Sequence, residues 1–141
     1  MRFRTTAPLT LVVLCGCFSL TASAQSASAR RRAEAARLVN PVAVDDATLD
    51  QGRRIYFGEC AACHGLLADG DSKMQWSLDP VPPSLVDNET KFGASDGEMF
   101  VVVRDGVDHT SMRPYSDRLT EPQMWAVVNY IRTLAPQITQ H

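Results

Sequence analysis

The segment Cys60-Ala61-Ala62-Cys63-His64 constrains this chain more than any other feature. It stands directly before Gly65 to Ala94, a long stretch rich in Pro, Asp and Gly. A loop of that kind cannot fill a core unaided, so something other than side chains should pack against it. The preceding motif indicates what. On a helical turn, positions i and i+3 project to the same side, so Cys60 and Cys63 can each meet one vinyl group of a single porphyrin. His64 follows at once and can turn its imidazole onto the iron from that side. Cys-x-x-Cys-His is the attachment signature for c-type haem. The expectation is two thioethers, from Cys60 and Cys63, and one axial bond, from His64.

Other chemistries also use two closely spaced cysteines. A thioredoxin-like redox pair wants a βαβ context, which the sequence does not offer. Half of a zinc site would need two further ligands at matching spacing, and the other cysteines, Cys15 and Cys17, lie near the N-terminus. A structural disulfide between Cys60 and Cys63 is the third alternative in an oxidising compartment. Haem is the reading on which export, the trailing histidine and a downstream ligand all agree.

The opposite face of the iron needs a Met or His from a loop that folds back over the porphyrin. The candidates are Met74, Met99, Met112, Met124, His109 and His141. Met99 and Met124 fall in or against helices and read as core filling. His141 is the terminal residue, where chains fray. Met74 follows His64 too closely to reach the far face. Met112 fits best, in the loop Gly106-Val107-Asp108-His109-Thr110-Ser111-Met112-Arg113-Pro114-Tyr115, with His109 as the alternative ligand. A His/Met pair raises the reduction potential, because soft thioether favours ferrous iron.

The first residues read as an address. Arg2 and Arg4 give a positive start, Leu11 to Phe18 an apolar run, and Ala22-Ser23-Ala24 a cleavage pattern. The run is shorter than the roughly 18 residues or more that a spanning helix needs. Residues 1–24 are therefore expected to be a signal peptide directing the chain to the periplasm. An uncleaved anchor, or a lipidated Cys17 after Leu14-Cys15-Gly16, would instead tether it. The whole chain carries 14 basic and 16 acidic residues, a net charge of −2, which excludes a strongly basic nucleic-acid binder. Cleavage after Ala24 removes Arg2 and Arg4, leaving 12 basic residues against 16 acidic and a net charge of −4. Residues 25–43 form an Arg- and Ala-rich leader, expected to be a solvated linker or frayed helix. Asn40-Pro41 breaks any helix there and places the start of the folded domain, 44–141, near Val44.

Within that domain three helices are predicted. The first has Thr48 as N-cap with Gln51 completing a capping box, and puts Leu49, Gly52, Ile55 and Tyr56 on one face. The second opens with Ser95-Asp96-Gly97-Glu98 and stops at Gly106; its Phe100-Val101-Val102-Val103 run would also suit a strand, but the cap and the glycine favour helix. The third opens with Thr120-Glu121-Pro122-Gln123 and carries Met124, Val127, Val128, Ile131, Leu134 and Ala135 at helical spacing up to Pro136.

From about Val44 to Leu134 the sequence resembles a class I monohaem cytochrome c of the small bacterial kind. Gly52 and Tyr56 precede Cys60 by eight and four residues, where the family has a glycine and an aromatic at the crossing of its first and last helices. Val127 and Tyr130 match the positions that meet them. Pro82-Pro83-Ser84-Leu85 resembles the segment whose proline carbonyl holds the proximal histidine, which assigns that support to Pro82. Thr110-Ser111-Met112 resembles the distal methionine loop, although Arg113 stands where the family commonly has proline. That places a positive charge near the haem edge, and Tyr115 keeps the family's aromatic position.

The resemblance implies an all-α cytochrome c fold, three main helices around one covalent haem c. Covalent haem would supply apolar burial that a core this small lacks. An iron with both axial sites filled has no place for substrate, so the expected function is electron transfer and not catalysis. Expected partners are periplasmic redox proteins, such as a dehydrogenase, a bc complex or a terminal oxidase or reductase. No nucleic acid or small-molecule substrate is expected, and the state expected is a monomer. The acidic body suggests a partner surface with basic character and association weakened by salt. The alternative function is a haem-based sensor or ligand-binding module in which Met112 is displaceable.

Overall fold

The computed structural model describes residues 18–87 and 95–135, and among them there is no strand. The elements are α1 (Phe18–Ala35), α2 (Asp46–Ile55), a π turn (Tyr56–Cys60), α3 (Ala61–His64), a 3-10 turn (Gln75–Ser77), α4 (Asp96–Asp105) and α5 (Glu121–Leu134). The all-α class is as expected from the helical patterns. The chain divides into two compact units, Met1–Arg32 and Ala33–His141. In the first, α1 exposes every described side chain from Ala27 to Arg32. Among the described residues no helix is long and apolar enough to cross a membrane. Arg2, Arg4 and the apolar run as far as Cys17, with Pro136 and His141, lie outside the described residues, whereas Ala22-Ser23-Ala24 falls within α1.

The second unit reaches back beyond the Val44 boundary. Ala35 is buried, and a Cβ placed on Gly97 would lie 2.0 Å from its carbonyl oxygen. The Asn40 amide donates to Asn129 Oδ1 at 2.7 Å, and Asn129 Nδ2 donates to the Val42 carbonyl at 3.3 Å. This segment therefore lies against α4 and α5. It docks through backbone approach and an amide pair, neither of which leaves an apolar period in the sequence.

α2 starts earlier than the Thr48 cap predicted. Asp45 is the N-cap, accepting from Thr48 N at 2.8 Å, while Thr48 Oγ1 accepts from Asp45 N at 3.2 Å. Thr48 thus closes the capping box as its third helical residue, in the place usually taken by Glu or Gln. The other two caps are where the sequence puts them. Ser95 and Glu98 close a capping box on α4, Gly106 ends it at φ 72°, and Thr120 pairs with Gln123 on α5. The valine run of α4 is helical because both its ends are capped and one face is buried against α5.

The frame of the unit is the crossing of α2 and α5. A Cβ on Gly52 would stand 2.1 Å from the Ala126 carbonyl oxygen and 2.9 Å from Tyr130 Cβ. Only glycine permits that approach. Below it, fully buried Tyr56 meets the Tyr130 ring at a centroid distance of 5.6 Å. α4 packs on the other side of α5, where Phe100 stacks on Trp125 at 4.1 Å and an interplanar angle of 6°. An Arg132–Asp96 ion pair of 2.7 Å joins the two helices. Met124, Val127, Val128 and Ile131 line the inner face of α5, all buried.

Candidate functional site

α2 runs without a break into the π turn Tyr56–Cys60 and then α3. A π turn carries one more residue per loop than an α turn, so it re-aims α3 relative to the packed face of α2. Nothing in the composition of Tyr56-Phe57-Gly58-Glu59-Cys60 signals it. Gly65 closes α3 at φ 83°, and a Cβ there would lie 2.6 Å from the Asp71 carbonyl oxygen. Left-handed backbone and lack of space both call for glycine at this point.

Two buried tyrosines bracket this segment. Tyr56 donates its hydroxyl to the Gly65 carbonyl at 2.6 Å, just after His64. Tyr115 donates to the Glu59 carbonyl at 2.8 Å, just before Cys60. The loop beyond folds back on it, with Gly70 N donating to the His64 carbonyl at 2.9 Å and Leu85 N to Ala68 at 2.7 Å.

Cys60, Cys63 and His64 form one wall of a cavity of about 610 Å³. Leu78, Pro82 and Leu85 from the long loop, Met99, Val102 and Val103 from α4, and Ile131 from α5 supply much of the remaining wall. This volume lies within the range of about 300–1,000 Å³ usual for ligand and cofactor sites. The described part of the long loop, through Asp87, thus borders a cavity, in line with the expectation that it packs against something other than side chains. Both cysteines are free thiols. Burial first, then the neighbouring Glu59 and Cys63, pushes the Cys60 thiol up to about 12. Among the described residues no group of three or more His, Cys, Asp or Glu side chains is placed to hold a metal ion.

Burial lowers the His64 pKa, favouring the neutral imidazole that can coordinate a metal. Its Nδ1 is buried with no hydrogen-bond partner. The bond expected from His64 to the Pro82 carbonyl is therefore absent. Pro82 does line the cavity, but its carbonyl oxygen lies against Gly70, 2.7 Å from where a Cβ on that glycine would stand.

Met112 lies in a tight loop following α4. Val107 N donates to the Met112 carbonyl at 2.9 Å, and Met112 N to Thr110 Oγ1 at 3.1 Å. Met112 is half-buried and lines the cavity with Thr110 and Ser111. His109, the alternative ligand, is exposed at φ 60° and does not line it. Met74 is exposed and Met124 buried, and neither reaches the cavity, whereas Met99 is both core and cavity wall. The charged residues of the wall are Glu59, Asp87, Arg113 and Arg118, of which Glu59 and Arg118 pair at 3.0 Å. Sequence reasoning missed Glu59 and Arg118, since no local pattern marks residues that meet only in the fold, and it read Met99 as core filling without placing it on the cavity wall.

These residues fit a c-type haem. Two free thiols three positions apart, an imidazole with a buried unpartnered nitrogen and a thioether on a separate loop border one largely apolar cavity. A family model described as cytochrome c oxidase, cbb3-type, subunit III matches residues 47–131, from α2 through Ile131 of α5. No curated protein matches the chain. Among solved structures, a chain of the reducing HAO-like protein complex of Kuenenia stuttgartiensis is similar, with a TM-score of 0.63 at 23% identity. The match covers 67% of this chain and 47% of that one, so the present chain matches about half of that chain's length. That likeness is one of fold. The family match runs through both walls of the cavity, and on it the chain belongs to the family described as cytochrome c oxidase, cbb3-type, subunit III, a c-type cytochrome domain whose cofactor is covalently bound haem c.

Proposed function

We propose that the protein is a one-electron carrier, with haem c joined to Cys60 and Cys63 and its iron held between His64 and Met112. The observation that carries this reading is the convergence of those four side chains on the same cavity. When bound, haem c takes up and gives up a single electron at its iron. Each side chain has a separate part in making that useful. The depressed pKa of His64 keeps its imidazole available as a ligand at neutral pH. Met112 presents a soft thioether, which favours the ferrous state, and its loop is closed by its own hydrogen bonds. Met99, Val102 and Val103 keep the surroundings apolar, and Arg113 on the wall adds a positive charge that disfavours ferric iron.

With His64 and Met112 both holding the iron, the site would have no vacancy for a substrate, which is the reason to read it as a carrier. Its partners on this proposal are redox proteins of the periplasm, such as a dehydrogenase, a bc complex or a terminal oxidase or reductase. Export through residues 1–24 would deliver it there. The acidic mature chain, at −4, suits a partner surface of basic character.

Carbon monoxide tests the carrier reading against the sensor. The reduced, haem-loaded protein is expected to take up carbon monoxide only slowly at neutral pH, its optical spectrum unchanged in the first minutes of exposure. Rapid, stoichiometric uptake by the wild-type protein would mean a displaceable distal ligand and would favour the sensor.

A further inference from the structure

Tyr115 lies three residues past Met112 and is fixed from several directions. Its backbone N–H donates to the Val103 carbonyl at 3.1 Å, tying it to α4. Its hydroxyl donates to the Glu59 carbonyl at 2.8 Å, a contact between residues 56 positions apart. The Arg118 guanidinium lies over its ring, 4.7 Å from the centroid, and pairs with the Glu59 carboxylate at 3.0 Å. The side chain is 8% exposed and forms part of the cavity wall.

This arrangement joins two segments that are far apart in sequence. The Met112 loop is closed internally by the Val107–Met112 and Met112–Thr110 bonds, which hold it together as one piece. Among the described residues, two hydrogen bonds connect the stretch after Gly106 with the turn that carries Cys60, Cys63 and His64. One is the Arg118–Glu59 pair, whose side chains are 53% and 39% exposed and which solvent therefore screens. The other is the bond from the Tyr115 hydroxyl to the Glu59 carbonyl, part-buried and directly adjacent to Cys60.

We infer that Tyr115 is a positioning residue, whose hydroxyl sets the Met112 loop against the Cys60–His64 turn and so governs how firmly Met112 is held on the iron. The inference rests on Met112 being the distal ligand. It concerns the hydroxyl alone, since phenylalanine at this position would keep the ring, its burial and the Arg118 guanidinium over its face, and would lose only the hydroxyl's contacts with Glu59 and Arg118.

The test compares haem-loaded Tyr115→Phe, Tyr56→Phe and Met112→Ala with the wild-type protein. Tyr56→Phe also deletes one buried hydroxyl bond to the turn, the 2.6 Å contact with Gly65, but at the end remote from the Met112 loop. It therefore controls for a general loss of stability. Tyr115→Phe is expected to take up carbon monoxide in the reduced state roughly three- to tenfold faster than wild type, as the loss of one net hydrogen bond allows. Its ferric iron–sulfur charge-transfer band should vanish at lower denaturant than its helices do. Tyr56→Phe should unfold earlier as a whole while taking up carbon monoxide at the wild-type rate. Wild-type uptake in Tyr115→Phe, with free uptake in Met112→Ala, would overturn the inference and leave Met112 as ligand. An unchanged band in Met112→Ala would remove the ligand assignment, and the inference with it.

Discussion

The Cys60→Ala/Cys63→Ala variant should yield protein from which acidified organic solvent removes all of the haem, whereas wild type keeps it through the same extraction. Either single variant should retain it through the remaining thioether. The cysteines are free and both line the cavity, so each can form its own bond to the porphyrin. Loss of the group also bears on folding. Met99, Val103 and Ile131 are buried yet face a cavity of about 610 Å³, so without its occupant they line a void. Voids of this kind destabilise in proportion to their size. The double variant stripped of haem is therefore expected to lose its cooperative thermal transition, as followed by circular dichroism. A sharp transition at the wild-type temperature would show that the α2–α5 frame stands without the cofactor.

Gly52→Ala is the substitution expected to harm the frame most. Its new Cβ would lie 2.1 Å from the Ala126 carbonyl oxygen and 2.7 Å from the carbonyl carbon, and backbone cannot swing aside as a side chain can. α2 and α5 would have to separate, losing the packing of Tyr56 against Tyr130. The cost expected is about 3 kcal/mol, at the upper end of overpacking effects. It would be read as a lowered denaturant midpoint. Gly58→Ala is the matching control, because a Cβ there meets nothing within 4 Å. It should leave the midpoint unchanged or raise it slightly, since alanine loses less backbone freedom on folding. Equal effects at the two positions would mean that the helices do not cross at Gly52.

Much of this arrangement can be read in the sequence wherever the signal is local. Ser95, Gly106 and Thr120 bound their helices as their chemistry indicates, because a cap depends on residues three or four positions away. Gly52 is recognisable by the resemblance, and the structure supplies the reason, a backbone approach that no larger residue permits. Cys60, Cys63, His64 and Met112, named from the motif and the loop, line one cavity.

What the sequence hides is mostly non-local. Asp45, rather than Thr48, caps α2: the two candidate boxes, Asp45–Thr48 and Thr48–Gln51, overlap at Thr48, and the fold closes the first. The segment before Val44 docks through Asn40, Asn129 and a backbone contact at Gly97, leaving no hydrophobic period. The Pro82 carbonyl is turned towards Gly70 instead of His64, a choice set by the folding of the long loop. The Tyr115–Glu59 bond spans 56 positions and has no signature at either end.

An optical redox titration of the haem-loaded protein beside Met112→Ala reaches the central claim most directly. Ligation by His64 and Met112 predicts a reversible one-electron transition with a clearly positive midpoint. In the variant the iron–sulfur charge-transfer band should be lost and the midpoint should fall. A low wild-type midpoint, or a variant spectrally identical to wild type, would contradict that ligation and the carrier function built on it.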